Sequence, residues 1–133
     1  EASMKLNFRG VLAIALVSSL ALVGTVSAQL KGVAEVAITA PATKVVGKEV
    51  VTTFKLKNMS TQSIAGLRIE EYWYDKAGNP APGATRTFNQ PLGPGKVANL
   101  ELKTPRTPNM EKNNYVFTHA NGKVNATVVA KFE

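Results

Sequence analysis

From residue 32 onward the hydrophobic positions fall mostly at every second place, the period of a strand with one face turned to a core. The clearest stretch is 48–57, KEVVTTFKLK. Val50, Thr52, Phe54 and Leu56 occupy one face, and Val51, Thr53, Lys55 and Lys57 the other. Residues 96–104 repeat the pattern with Ala98, Leu100 and Leu102 inward. Residues 32–40, 64–75 and 84–89 are further strand-like runs, separated by Pro41, by the turn residues 76–80 and by Pro91 to Gly95. Pro80, Pro82 and Gly83 predict a turn ahead of 84–89. The last two runs, 114–120 and 123–132, flank Asn121-Gly122. That dipeptide favours a type I′ hairpin turn, because both residues tolerate positive φ. The stretches 58–63 and 105–114 read as polar or irregular loops.

These are about seven short strands with no sustained helical period after residue 28, a pattern that predicts an all-β fold. The expected architecture is an immunoglobulin- or fibronectin-like antiparallel β-sandwich, one domain over 29–133. The lysine-rich strand 48–57 is the candidate edge, since lysines guard edges against aggregation and a free edge accepts a partner strand.

The N-terminus has a different texture. Lys5 and Arg9 precede an apolar run from Val11 to Val23, and Val26-Ser27-Ala28 is a small-residue cleavage site before Gln29. Residues 4–28 therefore read as a signal-peptide helix and residues 1–3 as tag or upstream residues. The competing reading is an uncleaved anchor, because Gly10 to Ala28 carries no charge. Cleavage near Ala28/Gln29 would leave an extracytoplasmic protein, periplasmic or secreted; an uncleaved signal would be its sole membrane contact.

Composition narrows the chemistry. The 133 residues include no cysteine, which removes disulfides, thiolate nucleophiles, zinc–sulfur sites and an acylated lipoprotein anchor. The formal charge of +7 favours anionic partners such as envelope polymers or acidic polysaccharides. The basic residues form no clustered stripe interleaved with stacking aromatics, so nucleic acid is not an expected partner.

The middle of the chain, over about residues 48–104, resembles the FxLYD-type domain, a small bacterial immunoglobulin-like sandwich of exported proteins. The resembling residues are Phe54-Lys55-Leu56-Lys57-Asn58, then Leu67 to Asp75 with Glu71-Tyr72-Trp73-Tyr74-Asp75 at its end, then Gly78-Asn79 and Leu92-Gly93-Pro94-Gly95-Lys96. The resemblance implies a sandwich fold, an extracytoplasmic setting and an accessory or interaction role, with no reaction attached. The chain departs from it at Glu71, which stands where an apolar residue is usual. Alternation turns Glu71 inward with Leu67, Ile69 and Trp73, where an unpaired carboxylate is costly. A bulge, a place at the rim, or a neutralising Lys or Arg would resolve this.

No catalytic constellation emerges. His119 is the one histidine, so a metal site would need carboxylates around it, and a triad of a serine, His119 and Asp75 lacks any nucleophile context. Glu70 and Glu71 are adjacent, face opposite sides of a strand, and cannot flank one bond. Gly93-Pro94-Gly95 is a turn rather than a phosphate cradle. Asn58-Met59-Ser60 and Asn125-Ala126-Thr127 match the glycosylation sequon and would matter only in a eukaryotic secretory pathway. Trp73 reads as the core tryptophan, and Tyr72 and Tyr74 share the other face with Arg68. The candidate interaction surface is Arg68, Tyr72, Tyr74, Lys55 and Lys57. The expected function is a non-enzymatic exported module, without cofactor or metal, that binds another envelope protein or an anionic or carbohydrate polymer. The alternative is a structural subunit of a surface or periplasmic assembly formed by strand exchange.

Overall fold

A computed structural model describes residues 28–132. Residues 1–3 and the expected signal-peptide helix over 4–28 lie outside the described residues, except for Ala28 itself.

The described chain is all-β, with eight strands rather than seven. They are β1 (Ala34–Thr39), β2 (Ala42–Val46), β3 (Glu49–Asn58), β4 (Arg68–Tyr74), β5 (Pro80–Thr87), β6 (Val97–Pro105), β7 (Lys112–His119) and β8 (Gly122–Val129). β2 is the strand that alternation misses, because all five of its residues are exposed and it has no inward face to mark it. β2 forms a hairpin with β3 in which Val46 pairs with Glu49. Gly47, at the first loop position, takes the positive φ that a type II′ connection requires.

β3 organises one side of the molecule. β6 lies along one edge of it over nine residue pairs, from Glu49↔Pro105 to Lys57↔Val97. The other edge is shared end to end by β2 and β1, with Ala42↔Thr53 and Ile38↔Leu56 either side of the break at Ala40-Pro41. β3 is therefore a central strand, which corrects its assignment as an edge. Its lysines mark an outer face, not an unpaired border. β6, in contrast, pairs with β3 alone among the described strands.

The other side is β5–β4–β7, antiparallel throughout. β8 joins the two sides. It pairs with β7 through only Thr118↔Lys123 and His119↔Gly122, then runs parallel to β1 over six pairs from Ala34↔Val124 to Thr39↔Val129. The sheet is thus mixed, and a purely antiparallel arrangement is overturned. The predicted type I′ turn is also absent, since among the described residues only glycines have positive φ and Asn121 is therefore outside the region that turn needs. Pro80, Pro82 and Gly83 do not form a turn either. They lie within β5, where Glu71 pairs with Ala84 and Trp73 with Ala81, leaving Pro82 and Gly83 bulged opposite Tyr72.

The curled sheet brings its two inward faces together. Val36 and Ile38 of β1, Phe54 and Leu56 of β3, Leu100 and Leu102 of β6, and Ile69 of β4 fill the centre, with Ile64 and Leu67 from the β3–β4 connection. Burying each such side chain contributes about 1.5–3 kcal/mol. Phe54 meets Tyr115 and Phe117 edge-on at 5.8 and 6.1 Å, which locks β3 onto β7. Asn58 pins the loop that follows β3. Its buried Nδ2 donates to the carbonyls of Gln62 and Leu92, and its Oδ1 accepts from Ser60 N–H.

Candidate functional site

Alternation along β4 sends Ile69, Glu71 and Trp73 inward and Arg68, Glu70, Tyr72 and Tyr74 outward. The first three of the outward four form a linked row. Arg68 Nη2 meets Glu70 Oε1 at 2.7 Å with Nε at 3.0 Å, and Tyr72 Oη donates to Glu70 Oε2 at 2.9 Å. The guanidinium hydrogen bonds, followed by that from Tyr72, hold the Glu70 carboxyl below the usual carboxylate range. The same bond raises the Tyr72 phenol above its ordinary value. Tyr72 is 41% exposed, so its ring is fixed at its tip yet open on its flank. Tyr74 lies beyond the row, beside Pro80 on β5 and Lys112 on β7.

Alternation alone places Arg68, Tyr72 and Tyr74 on one face, with Glu70 weighed only as an acid–base partner for Glu71. The structure makes Glu70 the pivot that orients Arg68 and Tyr72. The available signal was the spacing of Arg, Glu and Tyr at every second residue of one strand.

Lys55 and Lys57 lie elsewhere. They project from the outer face of β3, whose inner face meets β4 and β7, so they stand on the opposite side of the molecule from Arg68. Lys55 borders a groove of about 710 Å³, and Lys57 one of about 450 Å³. Lys131 and Phe132 line both. The five candidate residues are therefore two surfaces, not one.

Glu71 is resolved by none of the three expected routes. It is buried and faces inward, and among the described residues no Lys or Arg forms a salt bridge with it. Its Oε2 accepts from Thr52 Oγ1 of β3 at 2.6 Å and from Asn113 Nδ2 of β7 at 3.4 Å, and its Oε1 accepts from Thr104 Oγ1 of β6 at 3.4 Å. Hydroxyl and amide donors from three strands replace the missing charge. Tyr115 closes the cluster, its hydroxyl accepting from Asn113 at 2.9 Å.

His119 is also buried, and both ring nitrogens are occupied. Nδ1 accepts from Asn121 N–H at 3.2 Å, which fixes the tautomer and makes Nε2 the donor to the Gly32 carbonyl at 2.6 Å. Asp75 is engaged in its own turn, accepting from the backbone of Ala77 and Asn79 and from the Asn79 side chain. The two residues therefore share no triad. Among the described residues no group of three His, Asp or Glu side chains is placed to hold a metal ion.

No family model matches the chain, and no curated protein matches it. Among solved structures, the chain is similar to IrmA from Escherichia coli, with a TM-score of 0.49 and 13% identity over 75% of this chain and 97% of that one. It is also similar to the Pseudomonas fluorescens alkylpurine DNA glycosylase AlkC, solved bound to DNA containing an abasic site analogue. There the TM-score is 0.35 and the identity 14%, over 74% of this chain and 32% of that one.

Proposed function

We propose that this protein is an exported, non-catalytic binding module. Its fold is read as an immunoglobulin- or fibronectin-like sandwich of the FxLYD type, and its ligand as another envelope component or an extracellular polymer. The observation that carries the reading is the row Arg68–Glu70–Tyr72, which holds an exposed aromatic ring and a cation in fixed positions before any ligand arrives. Such pre-organisation lowers the ordering cost of binding. A tyrosine flank beside a guanidinium suits stacking on a sugar ring or a peptide, with the cation meeting an acidic group.

Export is supported by the leader-like N-terminus and by where the domain begins. Gln29 already bridges to Ser63, and Leu30 N–H donates to the Ser63 carbonyl at 2.8 Å. The domain's own bonding thus reaches back to the residue that cleavage would make first. The test is co-sedimentation of the protein with isolated envelope polymers, comparing the wild type with Tyr72→Ala and Arg68→Ala. Retention lost in both variants supports the reading; equal retention of all three removes this face from it. Mass spectrometry of the native N-terminus separately tests export, with Gln29 as the expected first residue.

A second reading, a subunit that assembles by strand exchange, draws on β1. This N-terminal strand places Ala34, Val36 and Ile38 in the core and pairs on both edges, so a neighbour's copy could occupy the same slot. Light scattering that finds a strict monomer at high concentration counts against it.

A further inference from the structure

Two buried side-chain polar atoms among the described residues have no hydrogen-bond partner, the indole Nε1 of Trp73 and the hydroxyl of Thr107. A buried donor without an acceptor costs about 1–3 kcal/mol, and each such group in a native structure calls for an explanation. Both residues line the same half-open cavity, of about 280 Å³, between the β2–β3 hairpin, the C-terminal end of β4 and the β6–β7 loop. Trp73 is 92% buried, being 8% exposed. The cavity's other walls include the cations Lys44 and Arg106 and the apolar Val50 and Met110, and no acidic residue lines it. The loop carrying Thr107 is fixed at both ends. Arg106 N–H donates to the Lys48 carbonyl at 2.8 Å, and Glu111 N–H donates to the Tyr74 carbonyl at 3.0 Å.

We infer that this cavity is a binding site for a small organic carboxylate, separate from the Arg68–Tyr72 face and independent of it. The indole N–H is a donor only, the threonine hydroxyl can donate, and both cations favour an anionic acceptor. A planar two-oxygen head matches the guanidinium fork of Arg106. Val50 and Met110 offer an apolar wall for the ligand's body, and the volume lies at the small end of ligand pockets. Both unpaired atoms are closed to bulk water, so contact with the carboxylate requires the loop between Arg106 and Glu111 to move outward.

Trp73 is the one tryptophan in the chain, so its indole N–H gives a single NMR resonance and its emission reports on this site alone. The probe is benzoate, titrated into the ¹⁵N-labelled protein. The expected result is a saturable downfield shift of the indole proton with a matching change in emission. Thr107→Val is expected to weaken binding about threefold, and Lys44→Gln with Arg106→Gln at least about tenfold, the loss of a charge-assisted hydrogen bond. Lys44 is exposed, so Lys44→Gln alone keeps the test open if the Thr107 variant fails to fold. No saturable shift up to about 10 mM benzoate overturns the site, since that excludes even a weak millimolar ligand. An unchanged affinity in the doubly substituted protein also overturns it. Inorganic phosphate binding as tightly as benzoate overturns the carboxylate assignment.

Discussion

Thr52 Oγ1 and Glu71 Oε2 lie 2.6 Å apart, joining the inward faces of β3 and β4 through a hydroxyl-to-carboxyl bond in the centre of the molecule. That length falls in the charge-assisted range. Neither residue has an alternative partner in water, because Thr52 is fully buried and Glu71 is 1% exposed.

Thr52→Val is therefore expected to cost about 1.5–3 kcal/mol, as the buried carboxyl loses its shortest bond. Glu71→Leu should cost about as much, because it strands the donors of Thr52, Thr104 and Asn113. The double variant should cost clearly less than the sum, since it removes both members of the pair together. Urea unfolding of the three proteins measures the coupling. Strict additivity would show that the two groups do not stabilise each other.

Gly83→Ala is expected to destabilise by roughly 2–3 kcal/mol, the cost of overpacking a site that cannot relax. A Cβ at this position would collide with the backbone carbonyl of Glu71. The bulge at Pro82-Gly83 thus depends on a residue without a side chain. A thermal melt checks the steric origin, with Gly93→Ala as the comparison, a position without positive φ where a Cβ would meet only the flexible Lys96 side chain.

Gly122→Ala is expected to release the segment around Gly32, whose carbonyl would meet the added methyl. That carbonyl also accepts from His119 Nε2, so His119→Ala should loosen the same segment without adding bulk. Hydrogen exchange reads both. The Leu30 and Gly32 amides, bonded to Ser63 and Asn121, should lose protection in either variant while the β3 amides keep theirs.

Stability is expected to fall in alkaline solution through Tyr115. Burial first, and then the neighbouring Glu71, push its phenol above the ordinary tyrosine value of about 10. The folded state then holds this proton more tightly than the unfolded state does. The contribution is complete below about pH 10 and is lost as the pH rises from there toward the folded value. Urea midpoints measured across that range should drop less steeply in Tyr115→Phe than in the wild type.

A surface prediction concerns the row on β4. Glu70→Gln should bring the raised Tyr72 phenol back toward its ordinary value, because the carboxylate acceptor is its first cause. Spectrophotometric titration of the tyrosines detects the change. An unmoved titration would show that the row is not formed in solution.

The all-β class was legible because period-2 alternation survives wherever a strand has one wet face. Phe54, Leu56, Leu100 and Leu102 are buried as their spacing demands. β2 was illegible for the converse reason: Val45 and Val46 are both about half exposed, so no face distinguishes them. The central place of β3 could not be read either. Lysines on an outer face and lysines on an edge look the same in sequence, and only pairing separates them. The prolines of β5 misled because a bulge and a turn use the same residues. For the candidate site, alternation correctly grouped Arg68, Tyr72 and Tyr74, but it carries no information on which faces of different strands coincide. That is why Lys55 and Lys57 were joined to a surface they do not share. Glu71 was flagged correctly as an anomaly. Its resolution needed long-range contacts to Thr52, Thr104 and Asn113, which no local pattern encodes.

The parallel ladder between β1 and β8 sets how the domain would carry tension. The chain enters that ladder at Ala34 and leaves it at Val129, at opposite ends of six paired residues running in the same direction. A pull applied outside these two points loads the ladder in shear, so its hydrogen bonds share the load and must yield together. The two-pair contact between β7 and β8 offers little resistance of its own, which leaves β1 as the clamp. A domain tethered at one end and bound to an immobile surface at the other would resist extension through its first and last strands, without a single covalent cross-link.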